Sequence, residues 1–155
     1  MIARSGGTYI LVIEMTVGRT VAFGRGSRVF HLEAGTYCYV GSALGPGGLG
    51  ARLRRHASTT KRMHWHIDYL LEHARITGAI VVADERRLEC EWARWVEGRA
   101  KTRIDGVGAS DCSCPGHLFY LGTSTIHDPL IRAVADQLHG RFVPVGEFTV
   151  RCSPD

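Results

Sequence analysis

The chain of 155 residues contains no asparagine, so any site that needs a side-chain amide must take it from another residue or do without. A long apolar run is missing too. The stretch from Ile76 to Ala83 is interrupted by Thr77 and Gly78 and falls far short of the ~20 residues of a spanning helix. No secretory pattern precedes the short apolar run Tyr9 to Ile13, so the expected setting is the cytoplasm, with no membrane partner. The glycine-rich stretches are not followed by Gly-Lys-Ser or Gly-Lys-Thr, which excludes a nucleotide-binding P-loop. Five cysteines, Cys38, Cys90, Cys112, Cys114 and Cys152, cannot all pair within one chain and show no regular framework. That argues against a disulfide scaffold and for a reduced compartment. Neither a repeat nor a linker divides the sequence, and one domain over residues 1–155 is expected.

What is present fits an ordinary core. Hydrophobic residues make up 45% of the chain and charged residues 22%, a balance that folds rather than stays disordered. The formal charge of +4 and pI near 9.0 favour polyanionic partners. Distribution is more informative than the total. No acidic residue occurs between Glu33 and Asp68, whereas Arg52, Arg54, Arg55, Lys61 and Arg62 all fall in that gap. Such a segment carries a local positive field suited to phosphate.

Alternation and β-branched residues predict strands over Thr8–Met15, Arg28–Leu32 and Thr36–Ser42, with a short one at Thr20–Phe23 after the turn residues that begin at Gly18. Gly45-Pro46-Gly47-Gly48 breaks the sheet and opens a helix from about Leu49 to Ala57. Further helices are expected over His66–His73, from Asp84 to about Gly98, and from Ile126 or Pro129 to Leu138. Strands are expected over Gly78–Val82 and Leu118–Leu121, with a last edge strand over Phe142–Val150. Arg52 and His56, four apart on the first helix, share a face and are placed to approach one phosphate together.

Gly7-Thr8-Tyr9, then Tyr39-Val40-Gly41-Ser42-Ala43, Gly48-Leu49 and Arg52-Leu53-Arg54-Arg55-His56 together resemble the motifs of the GIY-YIG endonuclease family. The resemblance covers roughly Gly7 to Val96. It implies an α/β fold of the α+β type, a small central antiparallel sheet flanked by helices, with a core over about residues 7–98 and a C-terminal extension over 99–155 packed on it. The wide gap between Tyr9 and Tyr39 implies an inserted hairpin and keeps Tyr37 open as a residue that lines the site. By resemblance, Tyr9 and Tyr39 position or activate the attacking water, Arg52 stabilises the charge of the transition state and His56 contacts the phosphate or shuttles protons. Gly41, Ser42, Arg54, Arg55, Lys61 and Arg62 are the expected nucleic-acid contacts. The implied activity is metal-dependent hydrolysis of DNA, in repair or structure-specific cleavage, with DNA and possible repair proteins as partners. The family's usual asparagine has no counterpart here, so a non-catalytic nucleic-acid-binding or repair-associated module is the alternative.

The implied cofactor is a single Mg2+ or Mn2+ held by a carboxylate. Glu89 and Glu91 both border the apolar stripe of Leu88, Trp92, Trp95 and Val96, and periodicity does not choose between them. The arrangement Leu88-x-x-Glu91-Trp92-Ala93 resembles the family's glutamate region, making Glu91 the expected ligand and Glu89 the reserve. His64-Trp65-His66-Ile67-Asp68 offers groups for metal or phosphate, but the favoured role is structural, with Trp65 and Tyr69 in the core. Cys112-Ser113-Cys114-Pro115-Gly116-His117 offers thiolates and imidazole at a spacing foreign to familiar zinc fingers. A fourth ligand would have to come from Cys90 or Cys152. Zinc is therefore not expected, and Cys112 and Cys114 are read as small hydrophobes near a turn in which Asp111 borders the groove.

Overall fold

The computed structural model describes residues 4–24, 28–109, 112–124 and 127–149. The chain adopts the expected α+β class. A six-stranded antiparallel sheet runs in the order β6 (Thr102–Ile104), β7 (Leu118–Gly122), β4 (Gly35–Ala43), β1 (Gly7–Met15), β5 (Arg75–Val82), β8 (Arg141–Pro144). The inserted hairpin, β2 (Arg19–Phe23) with β3 (Arg28–Leu32), pairs only with itself. The helices are α1 (Gly48–Ala57), α2 (His66–Leu71), α3 (Glu89–Glu97), α4 (His127–Gln137) and α5 (Val145–Thr149).

Strand β1 is nearly continuous in apolar residues because helices cover both faces of the sheet at its centre. Tyr9, Leu11 and Ile13 point to one face, where they join Leu49 and Leu53 of α1, Ile67 and Leu70 of α2, and Phe148 of α5. The alternate residues Ile10 and Val12 point to the other, against Trp92, Ala93 and Val96 of α3 and Ile131 and Val134 of α4. Ile10, Leu11 and Ile13 are fully buried, each contributing roughly 1.5–3 kcal/mol relative to an exposed position. A polar substitution at any of them would break the layer it faces.

Three expectations need correction. The segment beyond residue 98 does not merely pack on the core: it supplies β6, β7 and β8, half of the central sheet. The strand expected over Phe142–Val150 stops at Pro144, which fits an edge strand, and the chain then turns into α5. Helix α3 begins at Glu89 rather than Asp84, because the Asp84 carboxylate instead takes the Arg86 amide and guanidinium in a local turn. Val150, Ile126, Asp111 and Cys152, named in the expectations above, lie outside the described residues. Among the described residues, no helix is long and apolar enough to cross a membrane.

Helix α1 starts where Gly47 and Gly48 have φ of 84° and 61°. A side chain at Gly48 would collide with the carbonyls of Arg4 and Ser5, so glycine is required for the chain to enter the helix here. Leu49, Leu53 and His56 form its buried stripe, while Arg52 and Arg55 lie at the borders. This rotation aims Arg52 toward the ends of β1 and β4.

Candidate functional site

In the β1/β4 ladder Tyr9 faces Gly41 and Leu11 faces Tyr39, so the two tyrosines are diagonal neighbours on one sheet face. A β-carbon at Gly41 would lie 2.5 Å from the Tyr9 hydroxyl. Only glycine leaves that phenol its place. Tyr9 and Tyr39 form part of the wall of a surface groove of about 300 Å3, together with Ser42, Arg52, Trp65 and Glu89. His64, His66, Arg87 and Gly108 also border it. Tyr37, on the same strand face as Tyr39, is held elsewhere: its hydroxyl donates to the Glu33 carbonyl at 2.7 Å and its ring lies against Tyr120.

Burial pushes the Tyr9 phenol up to about 12, with Arg52 working against the shift and Glu89 and Asp68 adding to it. Tyr39 is raised well above its ordinary value, chiefly by burial and further by Tyr9 and Glu89. Both rings are therefore neutral phenols in the protein alone. Beneath Tyr9 sits His56, 2% exposed, with Nε2 at 2.7 Å from the Tyr9 hydroxyl. Burial lowers the imidazole to about 3, so the ring is neutral at physiological pH, and His56 Nδ1 has no hydrogen-bond partner among the described residues. His56 thus holds Tyr9 from behind instead of reaching into the groove, which corrects the expectation of a direct phosphate contact.

The buried imidazole predicts a pH effect. Its folded pKa lies below the ordinary value of 6.5, so the unfolded chain binds the proton first, and the stability it contributes is complete above about 6.5 and lost as pH falls toward 3. The expected slope within that window is about 1.4 kcal/mol per pH unit. Urea unfolding of the wild type and of His56→Gln at pH 7 and pH 5 should show the variant losing less on acidification. An equal loss in both would assign the acid sensitivity to other groups.

Arg52 is fixed by two contacts. Its Nη1 donates to the Ser42 carbonyl at 2.9 Å, and its guanidinium lies 4.2 Å from the Trp65 ring centroid. Arg55 stacks on the same ring at 4.1 Å. It also donates to both oxygens of Asp68, at 3.0 and 2.9 Å, and to the Arg62 carbonyl. Asp68 is fully buried and also accepts the backbone amides of His64 and Trp65 at 2.9 Å each. Burial opposes its ionisation, but Arg55 and the two amides outweigh that and hold the carboxyl below its ordinary value. Lys61 is likewise committed, donating to the His56 carbonyl at 2.5 Å. Arg55 and Lys61, expected as nucleic-acid contacts, are thus internal fasteners, whereas Arg54 and Arg62 are exposed. Trp65, expected in the core, is instead a half-buried plate that aligns two arginines and forms part of the groove wall. Arg87, at the groove rim, had no distinguishing sequence signal.

The two glutamates separate cleanly. Glu89 lines the groove with the tyrosines and Arg52, while Glu91 is exposed, lies outside that lining and interacts with Arg86. The expectation that Glu91 joins the site is corrected to Glu89. The reason is that Ala93 is buried along with Trp92 and Val96, which turns the inward face of α3 toward the side from which Glu89 projects one turn earlier.

The assessment of zinc also changes. Cys90, at the start of α3, lies beside Cys112, Cys114 and His117, and one ligand atom from each is within 4.8 Å of the others. The distant fourth ligand is thus present, and the cluster can hold a metal ion. Its sulfur and imidazole donors suit zinc rather than magnesium. A separate concavity of about 730 Å3, at the C-terminal end of α1, is bordered by His56, Lys61, Asp68 and Glu72 but by none of Tyr39, Arg52 or Glu89.

Residues 8–139 match the family model described as Domain of unknown function DUF123. No curated protein and no solved structure gives a significant match.

Proposed function

Since the chain belongs to the DUF123 family, whose description specifies no chemistry, we propose from the groove itself that the protein is a metal-dependent DNA endonuclease of GIY-YIG type that hydrolyses phosphodiester bonds. The observation that carries this reading is the convergence of Tyr9, Tyr39, Arg52 and Glu89 around one surface groove. Neutral phenols, a fixed guanidinium and a single carboxylate form a set suited to a phosphodiester and one hard cation. Glu89 is a partly exposed oxygen donor at this groove, which fits Mg2+ or Mn2+, ions that keep several waters and share phosphate oxygens. When bound there, the ion would supply Lewis-acid charge and ease the loss of a proton from water or phenol.

The chain's own residues do the rest. Arg52, held flat by Ser42 and Trp65, presents guanidinium donors to the non-bridging oxygens as negative charge develops. Tyr9 orients the attacking water, and His56 Nε2 fixes the Tyr9 hydroxyl from behind as a neutral hydrogen-bond partner. Tyr39 and the Gly41–Ser42 backbone border the scissile phosphate. Exposed Arg54 and Arg62, with Arg87 at the rim, supply the less specific attraction to the DNA backbone. A cytoplasmic role in repair or structure-specific cleavage is consistent with this chemistry.

Purified protein should be offered single-stranded, duplex, flap and branched DNA with Mg2+, with Mn2+ and with chelator. Cleavage of at least one substrate, dependent on the divalent ion, is the expected outcome. Cleavage that survives chelation would reject the proposed chemistry. Binding without cleavage under either metal would leave the non-catalytic nucleic-acid-binding module as the better reading.

A further inference from the structure

The cluster of Cys90, Cys112, Cys114 and His117 lies where the first turn of α3 meets the entry to β7. Three features set it apart from cysteines that simply fill space. The first is the donor set, three thiols and one imidazole with no carboxylate, which matches a closed structural zinc shell. The second is distance. Tetrahedral zinc with Zn–S bonds of about 2.3 Å has ligand-to-ligand edges of about 3.8 Å, so the separations within 4.8 Å close with shifts on the order of an ångström. The three cysteines are only half-buried, and a loop and a helix terminus can give that much.

The third feature is His117. It is 1% exposed, its Nε2 is 3.5 Å from Cys112 Sγ, and its Nδ1 has no hydrogen-bond partner among the described residues. Its backbone is anchored on both sides, the amide donating to the Val107 carbonyl at 2.8 Å and the carbonyl accepting from Val40 at 2.9 Å. The ring is thus held in the interior beside thiols with an unsatisfied nitrogen. Nε2 is the nitrogen turned to the thiols and the one a metal ion would take, which would fix Nδ1 as the protonated nitrogen.

We propose that Cys90, Cys112, Cys114 and His117 form a structural zinc site that ties the start of α3 to the β7 entry and so positions Glu89 at the groove. Zinc enters as Zn2+, displacing the thiol protons, and no electron is transferred. With four protein ligands no coordination position is left for substrate. The link to the groove is short: Cys90 follows Glu89 directly, and a β-carbon on Gly108 would lie 2.6 Å from the Tyr39 ring and 3.2 Å from the His117 β-carbon. The consequence for Glu89 rests on the nuclease reading, whereas zinc binding itself does not.

The test is elemental analysis of the full chain purified without added metal or strong chelator, followed by Co2+ replacement. About one zinc per chain is expected, and the Co2+ form should show thiolate charge-transfer and intense tetrahedral d–d absorption. Cys90→Ser and Cys114→Ser should each lower the zinc content to a small fraction of that. Should either fail to fold, titration of wild-type thiols with an organomercurial should release zinc in step with cysteine modification. Wild-type protein that is folded and free of zinc, or that carries a Cys112–Cys114 disulfide, overturns the proposal, as do cysteine variants that retain full zinc. Zinc-loaded protein that cleaves no DNA would count against the nuclease reading and leave the zinc site standing. Zinc-free protein that cleaves would do the reverse.

Discussion

Glu89→Gln is expected to lower metal-supported DNA cleavage by about a thousandfold or more, which corresponds to roughly 4 kcal/mol of lost transition-state stabilisation. Glu91→Gln should change it by less than about threefold, as suits an exposed position. Glutamine keeps the shape of the side chain but removes the anionic oxygen that a divalent ion needs. Arg52 and the exposed arginines remain, so affinity for DNA should persist or rise as a negative charge leaves the groove. Circular dichroism and zinc content equal to wild type would show that α3 is still in place. A Glu89→Gln protein that cuts as well as wild type, or an equal loss in Glu91→Gln, would remove Glu89 from the proposed chemistry.

Asp68→Asn should be the most destabilising near-isosteric change in the same region, costing about 3 kcal/mol. That figure is the lower end of the range for breaking a buried ion pair by removing one partner, chosen because the Arg55 side chain keeps 27% exposure and can recover some hydration. Oδ2 accepts Arg55 Nη2 and the amides of His64 and Trp65 while Oδ1 accepts Arg55 Nη1, so asparagine keeps most bonds with its nitrogen in the Oδ1 position, where it faces Arg55 Nη1 donor to donor. The Asp68 carboxyl has a depressed folded pKa. Its stabilisation is present above the ordinary carboxylate value and disappears as pH falls through the folded one. Wild-type and variant stabilities measured by urea unfolding should therefore converge in acid and separate at neutral pH. A difference below about 1 kcal/mol at pH 7 would mean that the pair merely balances its own desolvation.

The local parts of this molecule are well expressed in its sequence. Alternation over Thr8–Met15 and Thr36–Ser42, and the glycines before Leu49, identify β1, β4 and α1 within one or two residues. The same patterns bring Tyr9, Tyr39 and Arg52 together. What they lack is the identity of the surface each residue meets. Arg52 and His56 do share one side of α1, yet His56 is buried with its Nε2 on the Tyr9 hydroxyl while Arg52, at the border of the buried stripe, reaches the groove. Arg55 is indistinguishable from Arg54 as a charge until Asp68, thirteen residues on, claims it. Glu89 and Glu91 are level on a helical wheel until the burial of Ala93 fixes the rotation. Cys90 joins Cys112 and Cys114 only because α3 packs over β4 next to β7, a relation with no short-range signature.

The way the sheet is ordered also bears on how the chain is made. Its middle, β4–β1–β5, belongs to the first 82 residues, and both flanks are added by the last third. During synthesis β4 and β5, nine and eight residues long, stand as open edges until β7 and β8 emerge. Long apolar strand edges are templates for pairing with other chains, and partly synthesised chains are where such pairing starts. The finished protein covers them with β7 and β8 and ends the sheet in two short edge strands, β6 and β8, three and four residues long. Damage to β7 or β8 is therefore expected to show as aggregation of the incomplete sheet, in addition to any effect on the groove through the pairing of Leu118 with Tyr39.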